Sequence, residues 1–79
     1  MRLVDFQNTG FRFSLVFANG QTISANLQPL IGAHVGKKEL VSARIDPDWG
    51  CLEFGNGNID VDPVTLYRYA TNHSDSKSA

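Results

Sequence analysis

Apolar and polar residues alternate with a period of two along much of the chain. Phe11, Phe13, Leu15 and Phe17 alternate with Arg12, Ser14, Val16 and Ala18; Ile23, Ala25 and Leu27 alternate with Thr22, Ser24 and Asn26. That period belongs to β-strands buried on one face. Between the two runs, Ala18-Asn19-Gly20 is a hairpin signal, and side-chain parity chooses its register. A two-residue Asn-Gly turn pairs Phe17 with Thr22 and sets the apolar faces against each other. A three-residue loop, Ala18 to Gly20, pairs Leu15 with Ile23 and Phe13 with Ala25 and keeps one apolar face. It also puts Gly20 at the left-handed position such loops require, so it is the expected loop.

The same logic extends both ways. A tight turn at Thr9-Gly10 pairs Phe6 with Phe13 and Val4 with Leu15. Asp46-Pro47-Asp48-Trp49-Gly50 is a turn by composition. A loop from Pro47 to Gly50 pairs Ile45 with Leu52 and Ala43 with Phe54, and sets Arg44 opposite Glu53 on the other face. Gly55-Asn56-Gly57-Asn58 is a further turn, followed by a short extended piece from Ile59 to Val61. The stretch from Gln28 to Glu39, with Pro29, Gly32 and Gly36, reads as an irregular connection holding one helical turn. Asp62 is a good N-cap and Pro63 suits the first helical position. Val64, Leu66, Tyr67 and Ala70 then form a stripe at helical spacing. The predicted architecture is α+β: a small, mostly antiparallel sheet of about five strands with a short C-terminal helix on its apolar face. Residues 1–70 form one domain, and the polar run Thr71 to Ala79 reads as a disordered tail.

Composition narrows the function classes. The chain has 79 residues, a net charge of −1, and one cysteine, Cys51. A lone cysteine excludes an internal disulfide framework and points to a reducing compartment. One Cys and two His cannot build a cysteine-rich zinc site. The balanced charge argues against nucleic acid as a partner. No apolar run is long enough to span a bilayer, and the opening Met1-Arg2-Leu3-Val4-Asp5 meets charge too soon for a signal peptide. The expectation is a cytoplasmic protein with no membrane partner.

The order of these elements resembles a known family. Arg12 to Gly20 gives strand-Phe-Ala-Asn-Gly; Leu40 to Asp46 and Leu52-Glu53-Phe54 follow; Asn58-Ile59-Asp60-Val61-Asp62-Pro63 with Leu66-Tyr67 closes the pattern. This is similar to the small bacterial domain-of-unknown-function family 2442, over roughly Val4 to Tyr69 by the strand-and-turn reading. The chain departs from that pattern at Phe54-Gly55, where the family usually carries Trp followed by Pro. The resemblance assigns no activity to individual residues. It does imply a setting: many members lie beside a gene of uncharacterised family 4160. A toxin–antitoxin-like pair is thus implied, with this chain as the antitoxin-like member.

The chemistry-bearing residues do not assemble into an expected enzyme. Gly32 to Lys38 departs from a phosphate-binding loop, with three residues between the glycines and Lys38 where Ser or Thr should stand. A Cys51–His34 nucleophile pair has no supporting motif. Asp46 and Asp48 belong to a turn and Asp62 to a helix cap, and no calcium-loop spacing is present. No catalytic, cofactor or metal residues are therefore assigned, and no cofactor is expected. The expected function is a non-catalytic protein–protein interaction module. Its candidate surface is Trp49, Arg44, Arg12 and Glu53, with Arg12 and Arg44 on a shared outer sheet face. In a turn, Trp49 is either tucked over the sheet edge or exposed as an anchor. The expected partner is another small protein, co-encoded by the resemblance, or a second copy joined through a sheet edge. The alternative is a small-ligand or weak nucleic-acid binding domain using Trp49, Arg44 and the Gly32–Lys38 loop.

Overall fold

The computed structural model describes residues 2–55 and 57–74. Strands β1 (Leu3–Thr9), β2 (Arg12–Phe17) and β3 (Thr22–Asn26) form one antiparallel meander. Helices α1 (Gln28–Ile31) and α2 (Lys37–Val41) follow. Strands β4 (Arg44–Ile45), β5 (Leu52–Phe54) and β6 (Ile59–Val61) form a second meander, and α3 (Pro63–Asn72) closes the fold. The architecture is α+β with a C-terminal helix, but the single sheet of about five strands is corrected to six strands in two sheets of three. Each meander is closed by local turns. The strands that would join them, β1 and β4, meet without forming a ladder: Leu3 N–H donates to the Gly50 carbonyl at 3.1 Å, and β4 is only two residues long. The sixth strand is the extended piece from Ile59 to Val61.

The β2–β3 register is the expected one, Leu15 against Ile23 and Phe13 against Ala25, with Gly20 left-handed at φ 87°. The β1–β2 turn differs. Its closing pair is Thr9 with Arg12, so the turn residues are Gly10 and Phe11, and Phe6 faces Leu15 instead of Phe13. A slip of two preserves the faces. The bulge between Leu3 and Asp5 does not. It inverts parity, so Leu3 is buried and Val4, expected in the core, is 52% exposed.

Inner-face residues Phe13, Leu15, Phe17, Ile23 and Ala25 of the first sheet meet Leu52, Phe54 and Val61 of the second in one core. Phe13 and Phe54 stand edge to face at 6.2 Å. The connection from Gln28 to Glu39 is more than irregular chain. Ile31, Val35 and Leu40 are all buried, each carried inward by one of the two short helices or the turn between them, and Leu27, the N-cap of α1, is buried ahead of them. Ser42 ties it to the second sheet: its hydroxyl donates to the Glu39 carbonyl at 2.6 Å and accepts the Gly55 N–H at 2.7 Å.

Asp62 caps α3 as expected, its Oδ2 accepting from the N–H groups of Val64 and Thr65 at 3.1 and 3.2 Å. The buried stripe is Pro63, Leu66 and Ala70, with Tyr67 beside it; Val64 faces outward. Pro63 is packed because it stands one turn before Leu66, and Val64 is rotated about 100° away from it. Tyr67 stacks edge-on to Phe17 at 5.0 Å and donates to Gln21 Oε1 at 2.7 Å. Tyr69 donates to the Asn26 carbonyl at 2.7 Å. These bonds lay α3 along β3.

Helix α3 continues past the expected boundary at Ala70. The helix runs to Asn72, and Ser74 bridges Ala25 on β3. Thr71 and Asn72 form the end of α3, His73 stacks on Tyr69 and Ser74 pairs with β3, while residues 75–79 of the expected tail lie outside the described residues. No helix among the described residues is long and apolar enough to cross a membrane.

Candidate interaction surface

The β4–β5 hairpin carries three of the four candidate residues. Its loop is closed by paired backbone bonds, Asp46 N–H to the Cys51 carbonyl at 2.9 Å and Gly50 N–H to the Asp46 carbonyl at 2.8 Å. Asp46 Oδ1 accepts the Asp48 N–H at 2.9 Å, the side-chain turn that an Asp-Pro-Asp sequence favours. Arg2 clamps the loop from outside, its guanidinium donating to the carbonyls of Pro47 at 2.7 Å and Asp48 at 3.2 Å. Gly50 is left-handed at φ 71°, and a Cβ there would lie 2.8 Å from Arg2 Cβ. Trp49 projects from this pinned loop with 72% of its surface exposed. Of the two sequence-level alternatives, the structure selects the exposed one.

Arg44 and Glu53 face each other across β4–β5, and Arg44 Nε donates to Glu53 Oε1 at 2.6 Å. Glu53 is buried, only 6% exposed, while the Arg44 side chain is 61% exposed. The Arg stem lies over the sheet and its head reaches water, while the carboxylate beneath it loses its own hydration. On the far flank Glu53 faces Asp60 of β6. Cross-strand neighbours therefore run Arg44, Glu53, Asp60, with one cation for two carboxylates.

Arg12 is elsewhere. It lies on β2 in the other sheet, opposite Thr9 and Asn26, so it shares no sheet face with Arg44. There it borders a shallow polar hollow of about 340 Å³ with Gln7, Asn8, Ser14 and Ser24. The shared face expected for the two arginines followed from assuming one sheet.

Cys51 is half-buried beside this acidic group. Burial raises its thiol pKa first, and the negative charges of Asp60, Asp46, Asp62 and Glu53 raise it further. A thiol held protonated is a poor nucleophile. Among the described residues no group of three or more His, Cys, Asp or Glu side chains is arranged to hold a metal ion.

One feature escapes the sequence reading. A cleft of about 290 Å³ opens beside β6, floored by Leu30, Ile31, Ile59 and Val61 and rimmed by His34, Asp60, Asp62 and Thr65. His34, from the Gly32–Lys38 loop, lines this cleft, and Cys51 does not. The signal available in sequence was the short Ile59-Asp60-Val61 strand between a Gly-Asn turn and a proline-led helix, an edge-strand pattern.

These elements define a class: a small α+β domain of two antiparallel meanders, closed by a capped helix and displaying a clamped hairpin. The chain belongs to the family described as "Protein of unknown function (DUF2442)", whose profile matches residues 3–72. The match runs to the last residue of α3. No curated protein and no solved structure matches the chain.

Proposed function

We propose that this domain is a non-catalytic protein–protein interaction module with Trp49 as its anchor. The supporting observation is a large aromatic side chain exposed at 72% on a loop fixed by Arg2, Asp46 and left-handed Gly50. A rigid display loses little side-chain and loop entropy on binding, and Trp is among the residues that carry most interface energy. The family resemblance adds the setting, in which the partner is a small co-encoded protein and this chain is the antitoxin-like member of a bacterial two-gene pair. The high thiol pKa of Cys51 accords with a non-catalytic role for that residue.

The test is affinity capture of the tagged chain from its native host, in the wild-type and Trp49→Ala forms, with the mass of each complex in solution. One stoichiometric small protein recovered by the wild type and lost with Trp49→Ala is the expected result. Equal recovery by both forms, or a bare chain from the wild type, overturns it. A second reading, a small-ligand site in the β6 cleft, is favoured by that cleft's apolar floor and polar rim. A thermal-shift screen with small metabolites and nucleotides separates the two.

A further inference from the structure

The two sheets have four edges, on β1, β3, β4 and β6, and β4, two residues long, lies against β1. On β1, the Phe6 N–H is already taken by the Asp5 side chain at 2.9 Å, and the strand's start is held by the β4–β5 loop. On β3, Ser74 bridges Ala25 and Tyr69 occupies the Asn26 carbonyl. On β6, the outer strand of the second sheet, no further strand pairs among the described residues. The apolar cleft lies along that same edge.

We propose that β6 and its cleft take an extended segment of a partner protein as an added strand, with the pattern apolar–basic–apolar. The proposal deepens the interaction-module reading, on which it rests, by giving it a second surface and a partner chemistry. Added strands gain affinity from backbone bonds and specificity from alternate side chains. Ile59 and Val61 pair with the core residues Phe54 and Leu52 and share their face of β6, whereas Asp60 pairs with Glu53 on the other face and reaches the cleft only at its rim. Residues of an added strand opposite Ile59 and Val61 therefore point toward Leu30 and Ile31, and the residue opposite Asp60 points away.

Charge decides what that residue is. The row Arg44, Glu53, Asp60 ends at the open edge on a carboxylate with no ion-pair partner among the described residues. A Lys or Arg on the added strand continues the row with the sign it lacks, and an acid there faces Asp60 directly. The same argument disfavours a second copy of this chain. Two β6 strands paired about their centre set Asp60 against its own counterpart, a like-charge contact.

The test is an NMR titration of the full chain with the synthetic peptide Ser-Thr-Ile-Lys-Val-Thr-Ser and with its Glu-centred counterpart. Amide shifts at Ile59, Asp60 and Val61 report binding. The Lys peptide should bind at least about tenfold more tightly than the Glu peptide, and Asp60→Lys, a surface change, should reverse the order. Of two further Lys-peptide copies, one N-methylated on Ile and Val and one on Lys, the copy blocked on the side facing β6 should lose binding and the other keep it. Unmoved β6 amides at saturating peptide, an order unchanged by Asp60→Lys, or equal binding by both methylated copies overturns the proposal. If capture still recovers a Trp49-dependent partner in that case, the groove assignment fails and the module reading stands. If peptides bind as expected and capture recovers nothing, the groove stands and the Trp49 anchor fails.

Discussion

Arg44 Nε and Glu53 Oε1 meet at 2.6 Å across β4 and β5, yet the arginine side chain is 61% exposed and the glutamate side chain 8%. The buried carboxylate depends on the cation more than the cation depends on it. Arg44→Ala should therefore destabilise by about 1–2 kcal/mol, between the values for exposed and fully buried pairs. Adding Glu53→Gln should recover part of the loss, because the stranded charge is gone. Urea unfolding of both variants checks this; a double variant less stable than Arg44→Ala would show that Glu53 is held by something other than the arginine.

Gly50 and Gly20 are both left-handed, at φ 71° and 87°, but only Gly50 is crowded, by Arg2. Alanine at Gly20 meets nothing within 4 Å and should cost about 1 kcal/mol for backbone conformation alone. Alanine at Gly50 carries the same conformational cost plus displacement of the Arg2 clamp, for a total of about 2–3 kcal/mol. Thermal melts of the two variants should rank them in that order.

The Cys51 thiol has its pKa raised in the folded chain, by burial and then by Asp60, Asp46, Asp62 and Glu53. The folded state thus holds the proton more tightly than the unfolded one. The resulting stabilisation is complete below the unfolded thiol pKa and is lost as pH rises through the folded one. Stability should fall more steeply on the alkaline side for the wild type than for Cys51→Ser. Iodoacetamide should label native Cys51 more slowly than the unfolded chain at pH 8. Equal slopes and equal labelling rates would contradict the assignment.

Phe54 is fully buried edge-on to Phe13. The core here is closed around a phenyl ring. Phe54→Trp should destabilise by about 1–3 kcal/mol through overpacking, measured by denaturant unfolding with the new indole as a fluorescence probe. A neutral result would mean that the core holds unfilled space at this position.

Local pattern carried much of the fold. Parity alone placed the β2–β3 and β4–β5 registers, because a slip of one residue would turn every apolar side chain to water. The Asp62-Pro63 helix start was equally legible, since cap and first-turn chemistry act within four residues. The Val4 bulge was not: Leu3 and Val4 are adjacent apolar residues of similar strand preference, and the one buried is the one whose N–H bonds the Gly50 carbonyl of a distant loop. Nor was the core role of Ile31, Val35 and Leu40, whose short helices gain their stability from packing more than from propensity.

The candidate surface divides the same way. By itself the sequence determined that Arg44 faces Glu53 and that Trp49 sits in a hairpin turn, because both follow from contacts a few residues apart. Only the tertiary structure decided that Trp49 is exposed, that Arg12 lies on another sheet, that the polar segment to Ser74 docks on β3, and that β6 keeps an open edge beside a cleft. Each depends on how the two meanders meet. That meeting is held by long-range bonds such as Arg2 to Pro47 and Leu3 to Gly50, between residues more than 40 positions apart, for which no local periodicity leaves a trace.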